Sequence, residues 1–511
     1  MKGIPLLNEL WAANRKIIIA GVLAHLCAAI FSAGYFQVDE HFQILEFAAF
    51  KLGIAGEQDL AWEYRERLRP AIQPALAYGL IKVFHALSAE NPFWQAMALR
   101  IVSALLSLAC MFWLIRAFER EIRADFLKKW LLFLSLLAWF LPYLHARFSS
   151  ENWAGLAFWS GFALVHLPRP PSGAAARYYG REFLSGLLLG FSFIARFQAG
   201  VLIAGLGLWL IFIKKERCAK LLAMSLGIAA AVLIGVLADY WFYGEWTFTA
   251  WNYFRANILH DKVSQFGIQP WWHYFKEIFL KGVPPFSIFM IVCPIFMWIY
   301  LPRHSITWAT LPFAALHLFI GHKEMRFLFP LANIFPLMLI LSLQAIREDA
   351  RFQGLKNLAQ NWRKPLLRLF LVVNTALLLI VCFKPADMQI SLYQYIYDHY
   401  DAGATEVLYI ERNPFSRAVP LNFYKKKELK VRKIENAGEL ARYAANSGKT
   451  ILFATQKFKS GPAPAGLECI RVYQALPRFV NYLNINNWME RTPLWTLYEC
   501  RNATRESFRN R

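Results

Sequence analysis

Charge is scarce in this chain: of 511 residues only 18% are Asp, Glu, Lys or Arg, against about 25% in ordinary soluble domains. Cysteine is scarcer still, with 7 in the whole length, which excludes a disulfide-stapled scaffold. No Gly-rich phosphate loop, internal repeat or zinc-type Cys/His spacing is present, so P-loop nucleotide binding, solenoids and structural zinc are set aside. Acidic residues are few as well, 34 against 56 basic ones, giving a net charge of +22. What fills the chain is apolar: 57% hydrophobic residues, 43 Phe and 19 Trp, with a mean hydropathy of +0.32. One water-soluble core cannot bury that much aromatic mass, and disordered chains contain far less of it. A polytopic membrane protein remains.

A span needs about 20 apolar residues to cross about 30 Å of hydrocarbon. The clearest is 17–36, preceded by Arg15 and Lys16 and followed by no small-residue cleavage site; it reads as a retained span rather than a signal peptide. Further spans are expected over 95–115, 130–144, 153–167, 183–195, 199–213, 221–243, 283–301, 306–320, 327–346 and 366–383, about eleven in all. With the N-terminus in the cytosol, every inside loop is basic. They hold Arg116, Arg120, Arg123, Lys128 and Lys129, then Arg169, Arg177 and Arg181, then Lys214, Lys215, Arg217 and Lys220, then Arg303, then Arg347, Arg351, Lys356, Arg363 and Lys364. The first outside loop, 37–94, carries eight acidic and five basic residues. This is the positive-inside pattern, so the basic excess reflects topology and no nucleic acid partner is expected. The stretch 71–87 contains Pro74, Lys82 and His85, and inserting it would reverse every later loop; it reads as a helix lying on the outer surface.

After Phe383 the composition changes. Short alternating runs at 406–410, 430–434 and 450–454 predict strands and 437–445 a helix, a small α/β domain over 384–511 that parity places outside. Cys469 and Cys500 are the two cysteines well inside it; an oxidising compartment permits a bridge, and two free thiols are the alternative.

Ionisable residues near a membrane plane mark function by default. Here they gather in outside loops far apart in sequence: Asp39-Glu40-His41, Trp62-Glu63-Tyr64 with Arg69, Arg147 to Glu151, Arg196, Asp239 to Trp246, and His322-Lys323-Glu324-Met325-Arg326-Phe327. Singly, each has a plainer reading: a solvated boundary, a snorkelling cation, an interfacial aromatic belt. Their coincidence on one side describes a site for a polar group attached to a lipid.

Asp39-Glu40-His41-Phe42-Gln43, Trp62-Glu63-Tyr64 with Arg69-Pro70, Arg147-Phe148-Ser149-Ser150-Glu151, Tyr243-Gly244 with Phe266-Gly267 and Pro270-Trp271, and above all the 322–327 run resemble glycosyltransferase family 22. That family contains the dolichol-phosphate-mannose-dependent mannosyltransferases of GPI-anchor and N-glycan precursor assembly, with bacterial relatives. The resemblance runs from about residue 36 to about 340. Gln37-Val38 stands where the family usually has His-Pro, Arg69-Pro70 where it often has Arg-Ser, and Ser149-Ser150-Glu151 where it has Ser-Asn-Ser.

The resemblance implies a GT-C fold for the membrane part, which with the change of composition after Phe383 gives domains 1–383 and 384–511, and inverting transfer of a hexose, mannose foremost. The donor would be a polyprenyl-phosphate-sugar and the acceptor a lipid-linked glycan. The site would face the periplasm or the lumen, in a bacterial inner membrane or the endoplasmic reticulum. It assigns Asp39 as general base with Glu40 second. His322, Lys323 and Arg326, with Arg147 and Arg196, meet the leaving phosphate. Trp62, Glu63, Tyr64, Arg69 and Glu324 contact substrate. No cofactor or metal is required, since side chains meet the lipid monophosphate. Two alternatives stand beside it: a lipid-linked oligosaccharide flippase, which would line its spans with charge where this chain has chiefly Arg100 and His25, and a glycan ligase using lipid diphosphates.

Overall fold

The computed structural model describes residues 13–168, 175–417, 419–457 and 467–502; Arg169 of the second inside loop lies outside them. Among the described residues the molecule is helical, with one small sheet. Helix occupies most of each of the eleven expected segments. Among the described residues four helices are long and apolar enough to cross a membrane, Pro92–Phe118, Cys218–Tyr243, Met325–Glu348 and Gln360–Phe383, and Ala199–Ile213, Ser287–Tyr300 and Ser305–Phe319 are shorter apolar helices.

Contacts divide the chain into two units, and the division differs from a linear boundary at 383. One holds Met1–Ser32, Trp62–Leu80 and Met97–Lys384; the other holds Ala33–Ala61, Ile81–Ala96 and Pro385–Arg511.

In the first unit the organising element is the helix Ser150–His166. Every residue from Glu151 to Leu164 is buried, as expected of a helix apolar on all sides. Its core includes Phe158, Trp159 and Phe162 with Leu189, Leu202, Phe313 and Ile334. Trp159 donates to the Pro330 carbonyl at 2.6 Å, and Gly155 faces Pro330 and Asn333 so closely that an added Cβ would lie 3.0 Å from the Pro330 Cα. Glycine there lets two helices approach. The helices Ala175–Ala195 and Cys218–Tyr243 meet in the same way, Gly186 against the Met224 backbone and Gly227 against that of Phe183.

The expected span 130–144 is two helices instead, Asp125–Leu137 and Leu141–His145. Pro142 has no N–H for the Ala138 carbonyl, so the helix cannot continue through it. Asn374 fills the gap, accepting from Trp139 N at 2.9 Å and donating to the Leu137 carbonyl at 2.8 Å. The first helix, Arg15–Phe31, ends short of the expected Phe36. The outer-surface segment folds as the helix Ile72–Ala86. Arg100, buried in Pro92–Phe118, donates to the Ala29 carbonyl at 2.7 Å.

In the second unit five strands, β1 Thr405–Tyr409, β2 Lys430–Lys433, β3 Thr450–Thr455, β4 Leu467–Gln474 and β5 Thr496–Asn502, form a mixed sheet in the order β2-β1-β3-β5-β4. β1 is parallel to β2 and β3, whereas β5 is antiparallel to β3 and β4. Leu408, Ile434, Leu440, Ile451 and Phe453 make its core. Cys469 and Cys500 stand opposite each other on β4 and β5 and are joined as a disulfide. The helix Ala437–Asn446 starts with Asn436 accepting from Glu439 N, and Met388–His399 with Asp387 accepting from Gln389 N and Ile390 N, both ordinary N-caps.

Candidate functional site

Glu151 lies in the first turn of the central helix, where the positive end of the helix dipole favours a carboxylate, and Ser149 caps that turn by accepting from Asn152 N at 3.2 Å. Two guanidinium groups meet its Oε1: Arg196 Nη1 at 3.2 Å and Arg326 Nη1 at 3.4 Å. Arg196 follows the last residue of Ala175–Ala195, and Arg326 stands in the single turn Met325–Leu328. Arg326 also holds Glu324, Nε to Oε2 at 2.9 Å and Nη2 to Oε1 at 2.9 Å, and Glu324 Oε1 lies 3.1 Å from His322 Nε2. The phenyl ring of Phe327 sits under both arginines, 5.0 Å from Arg196 and 5.4 Å from Arg326. Arg196, Glu151 and Arg326 are all buried. One chain of alternating charge therefore runs Glu324–Arg326–Glu151–Arg196, with the His322 ring at its Glu324 end, and joins residues remote in sequence.

Lys323, also buried, turns its Nζ to the Ile320 carbonyl and lies 5.9 Å over the Tyr274 ring. Burial pulls its ammonium pKa below the usual lysine value. The Tyr274 hydroxyl is pushed the other way, first by burial and also by the charge of Glu324. Counting Arg196, Arg326 and Lys323 against Glu151 and Glu324 leaves excess positive charge, an arrangement suited to a phosphate. Arg147 is nearly sealed; it donates to the Ser32 carbonyl at 2.9 Å and to the Ser32 hydroxyl, over the Tyr143 ring at 4.8 Å. Those bonds attach it to the end of the first helix.

The 62–69 segment packs onto the 240–270 loop. Trp62 stacks on Phe266 with centroids 5.9 Å apart, and Phe266 in turn meets His322 edge-on at 6.2 Å. Glu63 pairs with Arg69 at 3.3 Å, Tyr64 lies against Tyr243, and the Tyr243 hydroxyl donates to the Arg69 carbonyl at 2.7 Å. His322 Nδ1 reaches the Gly267 carbonyl at 3.1 Å. Asp239, on the membrane helix below, accepts from Ala71 N and Thr249 Oγ1, each at 2.7 Å. Thus Trp62, Glu63, Tyr64 and Arg69 form one patch that Phe266 joins to the His322 end of the charged chain.

Asp39 and Glu40 belong to the other unit. They form a single turn, Val38–Glu40, followed by a π-turn over His41–Leu45. Asp39 is half-buried, and Glu40, buried, accepts from Phe36 N at 3.3 Å. His41 and Glu46 are sealed from solvent at 2.7 Å, and Glu46 accepts from Phe423 N at 3.0 Å. Among the described residues no group of three His, Cys, Asp or Glu is placed to hold a metal ion.

Sequence reasoning gave no site role to Glu151, Phe266 or Tyr274. Glu151 and Phe266 carried a signal, since both stand in the motifs that resemble the family. Tyr274 carried none, since aromatic residues at a membrane face are common.

The sequence profile of the Alg9-like mannosyltransferase family matches residues 16–413. A GPI alpha-1,2-mannosyltransferase 3 of Xenopus laevis is 28% identical over 337 residues, 64% of this chain and 59% of that protein. A GPI mannosyltransferase 3 of Yarrowia lipolytica is 27% identical over 319 residues, 60% of this chain and 58% of that one. The matched stretch thus spans less than two thirds of those curated relatives. ArnT from Cupriavidus metallidurans in the apo state aligns with a TM-score of 0.50 at 12% identity, covering 96% of this chain and 98% of that one; the likeness is one of fold. With apolar helices of spanning length and a profile match over most of its length, this integral membrane chain belongs to the Alg9-like mannosyltransferase family.

Proposed function

We propose that the protein is an inverting membrane glycosyltransferase. It moves a hexose, mannose foremost, from a polyprenyl-phosphate-sugar to a hydroxyl of a lipid-linked glycan on the periplasmic or lumenal side, where 37–94 and 384–511 also lie. The observation that carries this reading is the cation-rich cluster around Glu151, supported by the mannosyltransferase names of the relatives. The acceptor oxygen attacks the anomeric carbon from the face opposite the phosphate. The bond from that carbon to the phosphate oxygen breaks, and its electron pair leaves with the polyprenyl phosphate. The acceptor proton passes to Asp39, with Glu40 the second carboxylate. Arg326, Lys323 and Arg196, with His322 and Arg147, meet the phosphate, and Trp62, Glu63, Tyr64 and Arg69 meet sugar hydroxyls and faces. The reading invokes no cofactor.

Purified protein incubated with labelled polyprenyl-phosphate-mannose is expected to place label in extracted glycolipid. Arg326→Ala is expected to weaken donor binding and to lose turnover at least about tenfold, since truncating one partner of a desolvated pair costs about 2–5 kcal/mol. Label that crosses a bilayer without entering a new glycolipid would replace transfer by transport.

A further inference from the structure

The loop between β4 and β5 opens its largest side chains to solvent. Phe479 is 64% exposed, Tyr482 90%, Leu483 57% and Ile485 77%. Among the described residues after 384, one other large apolar side chain, Ile470 on the edge strand β4, is exposed. So much apolar surface within seven residues is not the scatter expected of an ordinary surface.

The loop is also built, not slack. Two short turns, Arg478–Leu483 and Ile485–Asn487, lead into Trp488–Arg491. Asn486 and Asn487 take positive φ, 56° and 53°, a backbone region that asparagine tolerates better than most residues. Trp488 Nε1 donates to the Leu483 carbonyl at 2.9 Å, Arg491 Nη2 to the Asn486 carbonyl at 2.9 Å, and Met489 N to Asn484 Oδ1 at 2.9 Å. Polar groups are thereby spent on the loop itself, and the apolar side chains point away from it. Arg478 and Arg491, both exposed, flank the apolar set, and Glu490 is the one acid between them.

Its base identifies the neighbour. Tyr473, just before the loop, donates to Ser391 Oγ at 2.9 Å and lies 5.1 Å from the Tyr395 ring. Ser391 is in the first turn of Met388–His399, and the spanning helix Gln360–Phe383 ends eight residues before it. Four extended and three helical steps from Lys384 reach Ser391 within about 20 Å. The base of the loop is therefore bonded to the segment that directly follows the spanning helix in the chain.

We infer that residues 476–491 dock into the lipid interface of that leaflet, with Phe479, Tyr482, Leu483 and Ile485 at the boundary of headgroups and acyl chains and Arg478 and Arg491 on anionic headgroups. This docking holds whatever reaction the chain performs. The full chain in nanodiscs of phosphatidylcholine and phosphatidylglycerol in equal parts tests it in two ways. A diazirine-bearing phosphatidylcholine is expected to label peptide 476–491 of the unaltered protein. An environment-sensitive fluorophore on Ile485→Cys, in a background with the free cysteines replaced, is expected to shift to the blue. Doxyl lipid should quench it roughly twofold or more beyond the same probe on Arg442→Cys in the exposed helix Ala437–Asn446. Absence of photolabel from 476–491 while the spans are labelled overturns the inference. So does a probe at 485 shielded from aqueous iodide but untouched by doxyl lipid, which would mean that protein or glycan covers the loop.

Discussion

Glu151→Gln separates a structural cluster from a mere collection of charges. The carboxylate is 3% exposed and faces Arg196 at 3.2 Å and Arg326 at 3.4 Å. At an effective dielectric of about 20, one such contact near 4 Å carries about 4 kcal/mol before desolvation is counted. Removing one partner of a buried pair costs about 3–5 kcal/mol, because the other charge stays buried. Arg326 keeps Glu324, so most of the loss falls on Arg196, which retains Ser150 Oγ at 3.4 Å and the face of Phe327. The variant is expected to unfold several degrees earlier in detergent. The decisive measurement is a double-mutant cycle: Glu151→Gln with Arg196→Gln removes both charges and should cost less than the two single losses summed, by about 0.5–3 kcal/mol. Additive losses, or a Glu151→Gln variant as stable as the parent, would refute the idea that this carboxylate organises the arginines.

Asp39→Asn is expected to reduce turnover roughly 10²–10⁴-fold with unfolding temperature and donor affinity retained; a dead Glu40→Gln beside an active Asp39→Asn exchanges their roles. Burial lowers the Lys323 pKa from 10.5, so the folded protein loses this proton at a lower pH than the unfolded chain does. Stability is then expected to rise with pH just below 10.5 while donor affinity falls there, and Lys323→Arg should abolish that alkaline loss of affinity. A cysteine at Glu57 is expected to react with an impermeant reagent in intact cells and one at Asn361 is not; the opposite pattern reverses the topology.

The sequence by itself determined the membrane class, because apolar runs and basic loops are set by transfer free energy and charge placement, and both are local properties of the chain. It also placed the strands at 405–409, 430–433 and 450–455 within a residue or two, since alternation and turn chemistry act over short distances. The 322–327 run was legible as a motif for the same reason. What it could not contain is who meets whom. That Glu324 and Glu151 both hold Arg326, and that Arg147 holds Ser32, follows from helices brought close by Gly155 and from a break at Pro142 that Asn374 repairs. Nor could composition show that residues 33–61 gather with those after 384, where Glu46 accepts the Phe423 N–H. Those pairings depend on close approach of segments remote in the chain, and only tertiary packing sets such distances.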